Sequence, residues 1–266
     1  MKISMLGTGN AQATECYNTC FVLEEDGKRL LVDGGGGNTL LSRLRKVNYT
    51  WKDMREIFVT HKHIDHLLGI VWMLRMICQG MSRGQYEGEA TLYAHGEVIG
   101  LLRQLADMLL TAKETRYLDE RFHLVTVEDG ETRRVIGRDV TFFDIHSTKA
   151  KQFGFTMRLP DGGKLTCCGD EPYCDSEYEY AKDSTILLHE AFCLYSQRDI
   201  FDPYKKNHST VKDACELAER LGVLNLILYH TEDRNLAERK ALYTKEGQAY
   251  YHGNLFVPDD LEILEF

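Results

Sequence analysis

Short apolar or alternating runs, each followed by polar or glycine-rich residues, set the rhythm of this chain. Runs at Lys2–Leu6, Thr19–Leu23, Arg29–Val32, Glu56–Thr60, Ala90–Ala94, His123–Val127 and Val140–Ile145 have the length and two-residue period of strands. Four more fall at Phe153–Leu159, Lys164–Cys168, Thr185–Leu188 and Leu224–Tyr229. Between them, apolar residues spaced by three and four predict amphipathic helices at Thr39–Val47, Leu67–Cys78, Val98–Thr111, Thr210–Leu221 and Leu236–Glu246. Ser209 is placed to cap the fourth. No repeat, linker or low-complexity tract interrupts the pattern, so residues 1–266 read as one domain. Strands are followed by strand–helix units, and then by strand–helix units again. That order predicts an α/β layered fold with sheets inside and helices outside.

Composition narrows the picture. A hydrophobic content of 43% over 266 residues suffices for a large buried core. No run approaches the roughly 18 apolar residues that span a bilayer, and the N-terminus lacks a signal core, so the expectation is a cytoplasmic protein without a membrane partner. Eight cysteines without a C-x-x-C pair read as reduced thiols. The net charge of −9 weighs against nonspecific nucleic-acid binding, whose affinity comes from neutralising phosphates. A bound phosphate would have to be held locally.

The chemistry concentrates in "HKHIDH", His61 to His66. Three histidines and an aspartate in six positions stand out in a chain with ten histidines among 266 residues. His61 and His63, two apart at a strand end, project to one side; Asp65 and His66 lie on the turn into the next helix. So short a segment cannot direct all of them at one ion. The spacing predicts two adjacent divalent ions, one on His61 and His63, the other on Asp65 and His66. Closing ligands are expected just beyond other strand ends, at the mouth of an α/β layer structure. His146 after "VTFFDI", Asp170 after "KLTCCG" and His230 after "NLILY" qualify. His146 is assigned to the first ion, His230 to the second, and Asp170 to the bridge. Asp33, after "LLV", is a candidate to support the ligands from behind.

"THKHIDHLLG", the later Gly169–Asp170 pair and the isolated strand-end histidines resemble the metallo-β-lactamase superfamily. "LGTGNAQA", "LLVDGGGG", "LLHEAF", "HST" and "LILYH" resemble its ribonuclease Z branch, from the N-terminus to about His230. The resemblance implies a four-layer αβ/βα sandwich with a dinuclear site, usually zinc, at its edge; manganese, iron or nickel are alternatives. It also implies a homodimer. A hydroxide held by two such ions attacks phosphorus at neutral pH. With Asp65 among the catalytic ligands, His208 of "KNHSTV" is the candidate proton donor to the leaving group, and Glu190 of "HEAF" its orienting partner. Strand alternation sends His189 and Glu190 to opposite faces, and the sequence leaves open which one faces the site. Lys149, Lys151, Lys205 and Lys206 flank these groups and could guide phosphate.

One departure from the ribonuclease Z pattern matters. Members of that branch that cut precursor tRNA carry a long arm between the motif matched by His146 and the Gly-Asp motif. Here 23 residues separate His146 from Asp170, enough for two strands and the turn "PDGGK". The expected function is therefore a phosphodiesterase acting on a small or accessible phosphodiester. tRNA 3′ processing without the arm is the second reading, and a metal-stapled, non-catalytic binding protein the third. "EPYCDSEYEY", Glu171 to Tyr180, is read as a lid, a subunit contact or an exposed acidic loop.

Overall fold

A computed structural model describes residues 1–266. Fourteen strands form two sheets of seven. The first sheet contains β1 (Lys2–Gly7), β2 (Cys20–Glu25), β3 (Lys28–Val32), β4 (Glu56–Phe58), β5 (Ala90–Ala94), β6 (Phe122–Thr126) and β14 (Ile263–Glu265), in the order β14-β1-β2-β3-β4-β5-β6. The second contains β7 (Thr132–Val135), β8 (Arg138–Asp144), β9 (Phe153–Arg158), β10 (Lys164–Cys167), β11 (Ile186–Glu190), β12 (Asn225–Tyr229) and β13 (Asn254–Phe256), in the order β13-β12-β11-β10-β9-β8-β7. Helices α1 (Thr39–Lys46), α2 (Ile64–Ser82), α3 (Gly96–Leu109) and α4 (Ala112–Thr115) belong to the first half of the chain. Helices α5 (Tyr178–Ala181), α6 (Arg198–Phe201), α7 (Val211–Arg220) and α8 (Arg239–Gly247) belong to the second.

The strand period explains the layering. Along β3, Leu30 and Val32 point into the space between the sheets, while Leu31 points outward against α1 and α2. Along β12, Ile227 and Tyr229 point inward, and Leu226 and Leu228 pack beneath α7 and α8. Three apolar cores result: one under α1–α3, one between the sheets and one under α7–α8. Helix, sheet, sheet, helix is the αβ/βα sandwich that the metallo-β-lactamase resemblance implies and a form of the layered α/β fold that the pattern predicts. No helix is long and apolar enough to cross a membrane.

Several boundaries move. Helix α2 begins at Ile64, three residues before the apolar period starts, because Asp65 suits the positive end of a helix. Strand β4 ends at Phe58, since the Thr60 amide turns to donate to Asp33. Ser209 does not cap α7: its amide donates to Glu190, so the chain is still extended there. Thr210 is the cap, in a capping box with Asp213. Strands β7, β13 and β14 are three or four residues each, mostly exposed or half-buried, and too short to show the expected period. The segment 146–170 folds as predicted, as β9 and β10 antiparallel about a turn, with no arm between them. The tyrosine-rich segment after Asp170 packs down rather than out, with Tyr180 stacked on Phe143 at 4.3 Å between ring centroids.

Candidate metal centre

Every candidate ligand sits just beyond the carboxyl end of a strand or in the first turn behind it. β3 delivers Asp33, β4 delivers Thr60 to His63, β10 delivers Asp170, β11 ends in Glu190, and β12 delivers His230. β3 and β4 are parallel, as are β10, β11 and β12, so these ends meet along one edge where the two sheets face each other. Helix α2 adds Asp65 and His66 from its first turn.

Two ligand sets share one carboxylate. His61, His63 and Asp170 form one; Asp65, His66, Asp170 and His230 form the other, with ligand atoms within 4.8 Å of one another. Asp170 Oδ2 lies 3.3 Å from both His66 Nε2 and His230 Nε2, and 3.7 Å from His61 Nε2. Asp65 Oδ2 lies 3.2 Å from His66 Nε2 and 3.6 Å from His230 Nε2. In the other set, His61 Nε2 and His63 Nδ1 converge to 2.8 Å with their rings nearly perpendicular. The buried Nε2 atoms of His66 and His230 have no hydrogen-bond partner. Unlike the buried, unpartnered imidazole nitrogens of His95 and His189, these two converge on carboxylates, where a cation would satisfy them. The donor set is thus suited to two borderline-soft divalent ions.

A buried frame holds the rings. Asp33, at a left-handed backbone position (φ 56°), accepts from His66 Nδ1 at 2.7 Å and from the Thr60 hydroxyl at 2.8 Å. The Thr60 oxygen also meets His61 Nδ1 at 2.9 Å. With its far nitrogen fixed, each ring turns its Nε2 into the site. Asp33 therefore stands where the sequence places it; Thr60 was missed, although it directly precedes the first histidine.

Charge favours cations. Burial pushes the His61 ring below the usual imidazole range, which leaves it in the neutral form that ligates metal. Burial acts to raise the Asp65 carboxyl, but His66 and His230 outweigh it and hold the group far below the usual range. Asp170 is likewise lowered against its burial, by His61 and His230. Burial acts to lower His66, yet Asp65 and Asp33 raise it well above normal. The negative field that would hold a proton on His66 favours a divalent cation in the proton's place.

His146 is the exception. It is exposed, its amide donates to Asp144, and it stands outside both ligand sets. The strand β8 ends at Asp144, and His146 takes a left-handed conformation (φ 55°), as the buried Asp33 (φ 56°) and His230 (φ 58°) also do, but its side chain is exposed. Six of the seven residues assigned as ligands come together, and His146, assigned to the first ion, stands apart from them.

The proposed acid pair assembles beside the second ligand set. Glu190, fully buried, holds the Ser209 amide with Oε1 and places Oε2 3.5 Å from His208 Nδ1. The His208 ring lies 5.2 Å from that of His230 and stacks on Phe192 at 5.1 Å. His189 faces away; its Nδ1 donates to the carbonyl of Glu190 at 2.7 Å. Of the flanking lysines, Lys149 reaches His208 and Lys206 lies over the Phe192 ring at 5.0 Å. Lys151 lies over Phe153, and Lys205 pairs with Asp202.

Facing sheets, outer helices and a shared His/Asp cluster at the strand ends define a metallo-β-lactamase-fold protein. The solved structures agree: YhfI of Bacillus subtilis matches over 99% of this chain and 98% of its own at a TM-score of 0.80 and 17% identity. Human tRNase Z, short form, matches over 100% and 99% at a TM-score of 0.73 and 18% identity. The ribonuclease Z of Nostoc sp. is 24% identical over 94% of this chain and 93% of its own. The chain belongs to the anti-Pycsar protein Apyc1 family, whose sequence profile matches residues 1–250.

Proposed function

We propose that this protein is a dinuclear metal-dependent hydrolase that cleaves a small or accessible phosphodiester. The observation that carries the reading is the pair of buried ligand sets joined at Asp170, with His208 beside His230. Two divalent ions, zinc first, would supply an activated hydroxide and neutralise charge on the phosphoryl oxygens. His61 and His63 would hold one, Asp65, His66 and His230 the other, and Asp170 both. His208 gives a proton to the departing alkoxide, and Glu190 keeps its ring oriented through Nδ1. Phe192 covers the other face of that ring and limits its rotation.

RNA cleavage is the second reading, favoured by full-length similarity to proteins named ribonuclease Z. The short β9–β10 turn and the net charge of −9 count against a grip on a large polyanion. The test is metal content, then turnover of bis(p-nitrophenyl) phosphate and of precursor tRNA. About two ions per chain with diester turnover are expected, and His208→Ala should lower kcat about 100-fold or more at unchanged metal content. tRNA cleavage would favour the second reading. Bound metal without turnover of either substrate would leave a stapled binding protein, and absence of metal would end all three. For the homodimer, the apolar row Ile64, Leu68 and Trp72 exposed along α2 is available for burial, and sedimentation reads the outcome.

A further inference from the structure

The loop from His146 to Lys151 stands outside both ligand sets, yet hydrogen bonds hold it against the site. Glu171, buried and next to Asp170, accepts from the Ser147 hydroxyl at 2.7 Å with Oε1 and from Asn207 Nδ2 at 2.6 Å with Oε2. Ser147 Oγ in turn accepts the amides of Lys149 at 3.2 Å and Ala150 at 3.3 Å. One carboxylate thus ties the loop that carries Lys149 to the loop that carries His208. The result places Lys149 Nζ 3.4 Å from His208 Nε2 and 3.8 Å from Glu171 Oε1.

Neither contact satisfies the ammonium. Both distances exceed those of a good charged hydrogen bond, and Lys149 has three donors to place. An ammonium only donates, so it cannot share His208 Nε2, the ring nitrogen that Glu190 does not face, with the proton that His208 would give to a leaving group. In that state the ammonium needs another acceptor. A non-bridging phosphate oxygen is such an acceptor, and a charged one.

We propose that Lys149 is a substrate-binding residue: its ammonium takes a non-bridging oxygen of the phosphodiester, and Glu171 is the positioning residue that aims it. This rests on the phosphodiesterase reading above. Lys149 then recognises the negative charge of the substrate, whereas the ligand cluster and His208 serve any ester. Lys205, sequence neighbour of His208 but paired with Asp202, has no such part.

The test uses zinc-loaded wild type, Lys149→Ala, Lys149→Arg, Glu171→Gln and Lys205→Ala. Lys149→Ala should raise KM for bis(p-nitrophenyl) phosphate about 10- to 100-fold, the effect of losing a hydrogen bond to a charged group. It should leave metal content and hydrolysis of the neutral ester p-nitrophenyl acetate unchanged. Lys149→Arg should restore most of the loss, Glu171→Gln should raise KM less than Lys149→Ala, and Lys205→Ala should match wild type. Equal losses on the charged and the neutral ester, or no loss on either, would overturn the proposal. Should wild type hydrolyse neither ester, the phosphodiesterase reading fails. Calorimetry with inorganic phosphate then decides for Lys149, which requires weaker binding in the alanine variant.

Discussion

Asp33 has three partners and no exposure to spare, and its effect on metal can be stated in advance. Its carboxylate fixes the His66 ring and, through Thr60, the His61 ring, one ligand from each set. Asp33→Ala should weaken zinc affinity about 10- to 100-fold, read by competition with a chromophoric chelator. His146→Ala should leave that affinity untouched, because its ring stands in solvent; a metal-poor variant would restore His146 to the first ion. Glu177 offers a test by pH. Burial raises its pKa from the ordinary 4.5 to about 8, against the pull of the Cys174 amide. Between these values the unfolded chain has lost the proton while the folded chain keeps it, so stability falls as pH rises from about 4.5 to about 8 and levels beyond. The slope is at most about 1.4 kcal/mol per pH unit. Denaturant unfolding of wild type and Glu177→Gln across that window should show the variant gaining relative stability with pH. A constant difference would remove Glu177 as the cause.

Helix α2 shows how an element places its ligands. Its first turn carries Asp65 and His66, and it can approach the β3 loop only because Gly69 meets Gly34 without side chains between them. The Gly69 amide donates to Gly35 and the Gly34 amide to the His66 carbonyl, so helix and loop are stitched directly. A Cβ at position 69 would strike the Gly34 carbonyl, which is backbone and has nowhere to go. Gly69→Ala should cost about 1–3 kcal/mol in denaturant unfolding and lower metal content with it; an unchanged metal content would show that the approach is not what positions His66. At this scale the sequence was most readable where period and ligand type coincided. The run into "HKHIDH" and the isolated Asp170 and His230 behind apolar strands brought six candidate ligands to one edge, because a strand that ends at the sheet edge has few other places to send the next residue. His146 obeyed the same rule and yet stands outside both sets; its left-handed backbone is shared by His230, so backbone conformation alone does not separate the two. The edge strands β7, β13 and β14 escaped because their pairing comes from tertiary contact and their side chains are half in water. The choice of Glu190 over His189 needed coordinates: both are ionisable, and both are buried, on opposite faces of β11.

At the scale of the whole molecule, the centre lies at the edge of two halves that share an apolar core between their sheets. The first sheet and α2 contribute Asp33, His61, His63, Asp65 and His66; the second sheet contributes Asp170, Glu190 and His230. Apolar packing between the sheets holds the halves together, while the clustered carboxylates and the buried, unpartnered Nε2 atoms of His66 and His230 carry a free-energy cost that a bound cation would relieve. A cation that binds only the folded chain stabilises it by mass action, about 2.7 kcal/mol for one site at a free concentration one hundred times Kd. Stripping the protein with a chelator should therefore lower Tm by several degrees while far-ultraviolet circular dichroism at 25 °C keeps its native shape, and adding zinc should restore Tm. Acidification should act in the same direction, because protons compete with metal for the His66 ring, which Asp65 and Asp33 hold above the usual imidazole range against its burial. A chelated protein with unchanged Tm would mean that the ligand sets are already satisfied without cations, and that the two halves meet at this edge through packing alone.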